Sequence, residues 1–318
     1  MRYQLFKLFN AFVGLIPSPI MKRMLQAMHY HPEIADRQGY IVTPQVFYSP
    51  FPNPQEVDLE KLKEKRDLPG VNFNMEETKN LMGELAKLSV ETRNFIKNRP
   101  PGTLTIWDMT YPVADSATLY AMLRHLKPRN YIEVGCGWSS RCSAAALDRN
   151  RVEGHACKAT YIDPYPAPHL AEVKLPGEFL KQKVERIPLE RFLQLEAGDV
   201  LFIDTSHVIK TQNDVEYELI HVLPSLKPGV IVHIHDILTP YDYPVDWTVG
   251  PGTQRNGINE QYALECLLSG GEDWEVILPV HLLSKDHRPL LAQLIDADGR
   301  PAAFWIRKLR KTAQEKNG

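Results

Sequence analysis

Four short apolar runs that each carry an acidic residue near the carboxyl end constrain this chain more than any other feature of its sequence. Glu133 lies in the first run, Asp163 ends the second, Asp204 ends the third, and the fourth ends in the pair His235 and Asp236. In open α/β sheets, ligands bind outside the carboxyl ends of the strands. We therefore expect these side chains to face a bound molecule at one edge of a parallel sheet.

The elements around these runs alternate in the manner of a parallel sheet. Strands are predicted near residues 131, 160, 200 and 230, together with helices over 139–149, 178–183 and 213–223. This βαβ repetition is typical of an α/β, doubly wound sheet. A helix near 259–268 then precedes two runs, 275–280 and 303–307, that have no comparable helix between them. Because parallel neighbours need a crossover, this pair predicts an antiparallel C-terminal edge.

The length of 318 residues predicts one catalytic domain with an N-terminal extension, since single domains usually take ~100–200 residues. We place the extension at 1–104, the catalytic domain at 105–310 and a tail at 311–318. Helices are predicted over 75–98 and 115–126. Residues 40–70 are rich in proline and read as an extended, ordered arm, in which Phe47, Tyr48 and Phe51 are expected to be buried.

Apolar residues at helical spacing predict an amphipathic helix over 1–16. We expect it to pack on its own domain or on a second copy of the chain, which would make a homo-oligomer, and contact with a membrane surface is the alternative. No apolar run reaches the ~20 residues of a membrane-spanning helix.

The charge and the cysteines exclude several classes of partner and compartment. A net charge of -2 supplies no basic field, so a nucleic acid partner is not expected. The cysteines lack C-x-x-C spacing and predict reduced thiols in a cytoplasmic protein; they are Cys136, Cys142, Cys157 and Cys266. Cys136 lies inside a glycine turn, where we interpret it as a small space-filling residue.

The glycine turn after the first strand decides the kind of cofactor. Gly135 and Gly137 fit the start of G-x-G-x-x-G, but serine stands where a dinucleotide fold has its third glycine. Glu133 is placed to accept hydrogen bonds from an aminoacyl ammonium or its shell, or merely to brace the loop. Asp163 is placed for ribose hydroxyls, with a surface ion pair as the alternative. The predicted cofactor residues are Glu133, Gly135, Gly137, Ser139, Ser140 and Asp163.

The pattern E-x-G-x-G, followed about 28 residues after Gly135 by the strand-ending Asp163, resembles motif I and the next acidic position of class I S-adenosylmethionine-dependent methyltransferases. The D-x-x-H of Asp204 and His207, and an H-x-H-D that ends at Asp236, resemble the polysaccharide-cluster and macrocin-type sugar O-methyltransferases over about residues 105–307. The resemblance implies a Rossmann-like, mostly parallel seven-stranded sheet, S-adenosylmethionine as cofactor and a saccharide or glycosylated metabolite as acceptor.

For the metal-dependent members, the resemblance implies that Asp204 binds a divalent cation, that Asp236 completes its shell and that His207 is the general base. His235 stands where some members have a second acid, and we include it among the candidate ligands. A cation can orient an acceptor hydroxyl and lower its pKa, and an imidazole can then take the proton. Oxygen ligands favour Mg²⁺, while an imidazole from His235 tilts the preference towards Mn²⁺.

Several side chains keep two interpretations. Lys210 anchors the acceptor or is a solvated lysine, and Tyr241, Tyr243 and Trp247 form a sugar-stacking platform or a packed loop. His207 could instead be an ordinary loop histidine, and Asp236 could cap a helix. His233 is expected to be a core histidine. The alternative functions are a metal-independent small-molecule methyltransferase, a metallohydrolase based on His233 and His235, and a non-catalytic nucleoside-binding protein.

Overall fold

The computed structural model describes residues 13, 15–99, 110–250, 257–270 and 272–310. The chain divides into two compact units, one formed by Met1–Asp58 with Thr248–Gly257 and the other by Leu59–Trp247 with Ile258–Gly318. Helices α1 (Ser18–Tyr30) and α2 (Pro32–Asp36) lie in the first unit. The second unit contains the sheet and all of the candidate site.

A seven-stranded sheet in the order β3-β2-β1-β4-β5-β7-β6 forms the second unit's centre. The strands are β1 (Asn130–Val134), β2 (Lys158–Ile162), β3 (Gly177–Leu180), β4 (Val200–Ile203), β5 (Ile231–Ile234), β6 (Trp274–Pro279) and β7 (Phe304–Lys308). The first five pair in parallel, and β7 pairs antiparallel with both β5 and β6. This confirms the predicted Rossmann-like sheet with an antiparallel C-terminal edge.

Helices connect and cover these strands. They are α3 (Met75–Ala86), α4 (Ser89–Lys97), α5 (Val113–Leu126), α6 (Trp138–Val152), α7 (Asp214–Tyr217), α8 (Leu223–Ser225), α9 (Val245–Val249), α10 (Glu260–Leu268), α11 (Val280–Asp286) and α12 (Arg288–Leu291). Between α7 and α8 the chain forms a π-helical turn, Glu218–Val222. The 3₁₀ turns are Lys61–Lys63, Pro168–Glu172, Val184–Arg186 and Leu189–Gln194.

The sheet buries both of its faces, as a doubly wound sheet must. Successive residues of a strand point to opposite faces. Tyr131 and Phe202 therefore join one apolar cluster, with α5 and α6, while Ile132 and Ile203 join the other. Glu133, two residues after Tyr131, shares the face that α6 covers.

Three predictions of local structure are wrong. Residues 178–183 are not helical, because β3 begins at Gly177 and pairs with β2. A Cβ at Gly177 would lie 2.2 Å from the carbonyl oxygen of Ala159, so glycine allows this close pairing. The predicted helix over 75–98 is two helices, α3 and α4. In the first unit, Phe47 is 98% exposed and Tyr48 79% exposed, so the arm does not bury them.

The predicted helix over 1–16 lies almost wholly outside the described residues, and so do 100–109 and 311–318, where the predicted domain boundaries fall. Those boundaries stay predictions. Among the helices that the structure describes, none is both long enough and apolar enough to cross a lipid bilayer.

Candidate functional site

The glycine turn after β1 is fixed to both neighbouring strands. Gly135 has a φ of +80°, and a Cβ there would lie 1.7 Å from the carbonyl oxygen of Asp204. The Gly135 amide donates to Ile162 at 2.9 Å, and the Asp204 amide donates to Val134 at 2.9 Å. Only glycine fits this position, because it alone combines the positive φ with room for the end of β4.

The space beside the second glycine of the turn, Gly137, is open. Gly137 is the N-cap of α6, and a Cβ built on it would have no heavy atom within 4 Å. Its amide donates to the hydroxyl of Ser140 at 3.1 Å. The N-terminus of a helix favours negative charge through its free amides and its dipole. The turn can therefore receive the carboxylate end of a ligand beside Gly137.

Glu133 is fully buried, and hydroxyl groups donate hydrogen bonds to both oxygens of its carboxylate. One oxygen accepts from Ser139 at 2.9 Å and Ser140 at 2.7 Å, and the other from Tyr131 and Ser143 at 2.7 Å each. Burial raises the pKa of Glu133, while these hydrogen bonds oppose that shift. The geometry favours the bracing interpretation, since the hydroxyls of Ser139 and Ser140 are directed at Glu133. Direct contact of these three residues with a cofactor stays a prediction.

Asp163 ties the end of β2 to the glycine turn. Its Oδ2 accepts from the Cys136 amide at 2.9 Å, and its Oδ1 accepts from the Tyr165 amide at 2.6 Å. Each carboxylate oxygen has a second lone pair, so the group can still accept from ligand hydroxyls. Burial raises the pKa of the Cys136 thiol well above its ordinary value. This agrees with Cys136 as a space-filling residue, because the thiolate is the nucleophilic form.

A cavity of about 440 Å³ lies at the carboxyl ends of β1, β2 and β4. Its lining includes Gly135, Asp163, Asp204, Ser206 and Lys210. Residues from the predicted cofactor, metal and acceptor sets thus share one cavity. This position agrees with the general rule for ligand sites in open α/β sheets.

His207 stands between two carboxylates at the rim of the sheet. Its Nε2 lies 3.2 Å from Oδ1 of Asp204 and 3.4 Å from Oδ2 of Asp236. Burial lowers the pKa of His207, but attraction to Asp236 and the hydrogen bond to Asp204 outweigh it, so the pKa lies well above its ordinary value. His207 and Asp236 have positive φ values of 57° and 55°. Such backbone conformations are uncommon outside glycine and often occur at functional sites.

His235 faces the same two carboxylates from β5. Its Nδ1 lies 3.5 Å from Asp204 Oδ1 and 3.5 Å from Asp236 Oδ1. Its Nε2 lies 3.2 Å from Oδ2 of Asp115, a fully buried side chain that also accepts from the amides of Ala302 and Ala303. Asp115 thus fixes one ring nitrogen, and the other faces the acids. This role of Asp115 has no local signal in the sequence, because 120 residues separate it from His235.

The contact of Glu260 with His207 was not predicted. From the sequence, Asn259 and Glu260 begin a helix and were open to either helix capping or substrate contact, but nothing in the pattern joined that helix to the D-x-x-H motif. Glu260 is 1% exposed, and its Oε2 lies 2.9 Å from Nδ1 of His207. Burial raises the pKa of Glu260, and the hydrogen bond to His207 opposes that shift.

Other residues of the region are packing residues. His233 is fully buried, stacks on Phe202 with ring centres 4.3 Å apart and contacts Trp305 edge-on at 4.7 Å. Burial holds its pKa well below the ordinary value, so it is a neutral core histidine, in agreement with the prediction.

Among the residues that the structure describes, no group of three or more His, Cys, Asp and Glu side chains has the arrangement of a metal site.

The aromatic loop does not present an open stacking surface at Tyr243. This ring is 2% exposed, contacts Trp247 and Tyr262, and its hydroxyl accepts from the Gln261 amide at 3.0 Å. The burial of this ring favours the packed-loop interpretation for Tyr243. Tyr241 contacts His281 edge-on, and Arg300 lies 4.8 Å from the ring centre of Trp247. Acceptor binding by Tyr241, Trp247 and Lys210 stays a prediction.

Comparison with known proteins finds a family match and a curated relative. Residues 132–237 match the sequence profile of a methyltransferase domain family. An uncharacterized protein of Archaeoglobus fulgidus is 26% identical over 197 residues, which cover 58% of this chain and 87% of that protein. The family match confirms the resemblance to class I S-adenosylmethionine-dependent methyltransferases.

Among solved structures, CmcI with Mg and S-adenosylmethionine is 16% identical, covers 62% of this chain and 72% of its own, and has a TM-score of 0.35. A TDP-rhamnose 3′-O-methyltransferase of calicheamicin biosynthesis is also 16% identical, over 76% of this chain and 99% of its own, with a TM-score of 0.36. The CMeT domain of the citrinin polyketide synthase is 12% identical over 70% and 60% of the two chains, with a TM-score of 0.42. At these TM-scores, the fold assignment rests on the strand order itself.

Proposed function

We propose that the chain, whose residues 132–237 match a methyltransferase domain family, transfers a methyl group from S-adenosylmethionine to a hydroxyl of a saccharide or glycosylated metabolite. The observation that carries the proposal is the single cavity that contains Gly135, Asp163 and Asp204. A cofactor held at the first two residues would place its reactive end near the third, where the histidine and carboxylate cluster begins.

For the cofactor, Asp163 accepts the ribose hydroxyls and the turn at Gly135 and Gly137 receives the amino acid end. Support comes from the free lone pairs of Asp163 and from the open space beside Gly137. The N-terminus of α6 adds an electrostatic reason, because its amides favour the carboxylate of the methionine group.

We assign Asp204, Asp236 and His235 as the residues that would hold a divalent cation, although their described arrangement is not yet that of a metal site. Adjacent ligands of an octahedral ion with bonds of ~2.1 Å lie ~3 Å apart, and the donor atoms here are 3.5 Å apart in two pairs. Small movements would therefore bring them to bonding distance. Asp115 behind His235 matches the carboxylate that usually holds the second nitrogen of a metal-binding histidine. A bound cation would act as a Lewis acid on the acceptor hydroxyl.

His207 is the proposed general base, and its charge state is the reason for joining this role to a cation. A base must be neutral before it takes a proton, whereas Asp204 and Asp236 raise the pKa of His207 and so favour its charged form. A cation bound to these acids would oppose that effect. A neutral imidazole placed at the acceptor hydroxyl contributes ~10²–10⁴-fold to such a reaction.

The choice of a saccharide acceptor rests on the resemblance of the D-x-x-H and H-x-H-D motifs to those of sugar O-methyltransferases. Lys210 and Ser206 supply polar groups to the cavity wall for an acceptor rich in hydroxyls. Sugar hydroxyls are weak nucleophiles near neutral pH. A cation that lowers the pKa of the hydroxyl and a base that takes its proton would both make it more reactive.

A metal-independent methyltransferase is the second candidate. The observation in its favour is that His207 and His235, whose pKa values are both raised, already balance Asp204 and Asp236. In this version the acids orient the acceptor, and alignment with the sulfonium supplies most of the rate.

The deciding experiment follows formation of S-adenosylhomocysteine from S-adenosylmethionine with a panel of nucleotide sugars and glycosides, before and after exhaustive chelation. The proposal expects turnover that stops on chelation and returns with Mn²⁺ or Mg²⁺. Turnover that survives chelation selects the second candidate. A protein that binds S-adenosylmethionine but methylates none of these acceptors contradicts the proposed acceptor class.

A further inference from the structure

The start of α10 holds His207 through both its backbone and its side chain. The His207 carbonyl accepts from the amides of Asn259 at 3.0 Å and Glu260 at 3.2 Å, and the Asn259 side chain accepts from the Ile209 amide at 2.7 Å. With the Glu260 contact to Nδ1 at 2.9 Å, two consecutive residues fix the loop and the ring together. This contact joins residues 53 positions apart.

The two nitrogens of an imidazole have different roles once one of them is bound. When Glu260 is ionised its carboxylate can only accept, and the proton of this hydrogen bond is then on Nδ1 of His207. The ring orientation then directs Nε2 towards Asp204 and Asp236, at 3.2 and 3.4 Å. Without Glu260, the ring could rotate about its side-chain bonds or carry its proton on Nε2.

Glu260 is buried, and burial of a carboxylate only to hold a loop would cost free energy. A buried carboxylate is costly unless its oxygens are paired. Within the described part of the chain, Glu260 Oε2 has its partner in His207, but Oε1 has no hydrogen-bond partner. Asn259 already fixes the loop through uncharged hydrogen bonds to His207 and Ile209, so the loop does not need a carboxylate at position 260. The negative charge of Glu260 instead acts on the imidazole of His207.

We propose that Glu260 is a positioning residue, which holds Nδ1–H of His207 so that Nε2 faces the reaction site. Only the chemistry that His207 performs rests on the proposed function. The hydrogen bond and the ring orientation can be tested without an acceptor.

The direct test is the imidazole N–H signal of His207 in the full-length protein labelled with ¹⁵N-histidine, assigned by its loss in His207→Gln. The wild type should show a slowly exchanging, strongly downfield Nδ1–H. Glu260→Ala should lose it, and Glu260→Gln should move it upfield, because a neutral amide oxygen is a weaker acceptor than a carboxylate.

Glu265→Gln is the matched control, because Glu265 lies on the same helix, is 7% exposed and pairs with Arg66 instead of His207. It should leave the His207 signal in place even if it lowers stability. If Glu260→Ala fails to fold, the near-isosteric Glu260→Gln decides the test. A wild-type Nδ1–H signal that persists unchanged in the Glu260 variants overturns the proposal.

A second measurement joins the inference to turnover. With an acceptor from the panel, Glu260→Ala should lower kcat by about 10- to 100-fold, as loss of an outer carboxylate typically does, and leave the affinity for S-adenosylmethionine within a few fold. An unchanged kcat would overturn the positioning role. If the wild type methylates nothing in the panel, the proposed function fails, and the N–H signal still decides the role of Glu260.

Discussion

Replacement of Glu133 by glutamine tests whether this buried carboxylate braces the glycine turn. The carboxylate accepts four hydroxyl hydrogen bonds, from Tyr131, Ser139, Ser140 and Ser143. A hydrogen bond to a charged group contributes about 1.5–3 kcal/mol and a neutral one about 0.5–1.5. The glutamine oxygen can accept two of these bonds in weakened form, but its nitrogen only donates, so the other two hydroxyl bonds are lost or reversed. Loss of the desolvation cost of a buried charge offsets part of the sum. We expect Glu133→Gln to lower the free energy of unfolding by about 1–3 kcal/mol.

Urea unfolding followed by circular dichroism measures this change, with the m-value as a check that both proteins unfold in the same way. Ser139→Ala is the graded control, because it removes one donor and keeps the charge, and it should cost about 1 kcal/mol. Calorimetry with S-adenosylmethionine should give Glu133→Gln an affinity within a few fold of the wild type once the protein is folded. The reasoning is refuted if Glu133→Gln keeps wild-type stability while its affinity for S-adenosylmethionine collapses, since that outcome describes direct contact.

Three further predictions concern the cluster and a distant histidine. Asp204→Asn should raise the concentration of Mn²⁺ needed for half-maximal methyl transfer, and an unchanged requirement would remove Asp204 from the metal set. His207→Ala should lower turnover by roughly 10²-fold or more with cofactor affinity nearly unchanged, as kinetics and calorimetry on one preparation can show. Burial lowers the pKa of His281 to about 4, against about 6.5 in an unfolded chain. Protons therefore bind the unfolded chain more tightly, and this group costs about 2 kcal/mol of stability when the pH falls from 7 to 5. The His281→Asn variant should therefore lose less stability than the wild type between pH 7 and pH 5. An equal fall in the urea midpoint of both proteins would contradict the lowered pKa of His281.

The sequence predicted the strands and their acids because apolar runs and the residues that follow them are local patterns. Asp163 and Asp204 therefore lie in the cavity as expected, one strand apart on either side of β1. Strand β3 was missed because it is a short, partly exposed edge strand, whose four residues carry little periodicity.

The contacts that the sequence did not predict depend on tertiary structure. Asp115 and Glu260 meet their histidines across 120 and 53 residues, and no local spacing encodes either contact. Glu133 shows the opposite case, since its position was predicted correctly but its surroundings were not. The three serines that meet it belong to the first turns of α6, and the fourth donor is Tyr131.

Calorimetric titration of S-adenosylmethionine into the wild type and Asp163→Ala tests the placement of the cofactor with neither an acceptor nor a metal. We expect saturable binding at one site per chain in the wild type. Affinity in the variant should be weaker by about 1–3 kcal/mol, from the loss of the ribose contact. Absence of binding to the folded wild type, or equal affinity in the folded variant, would contradict the placement of the cofactor in this cavity.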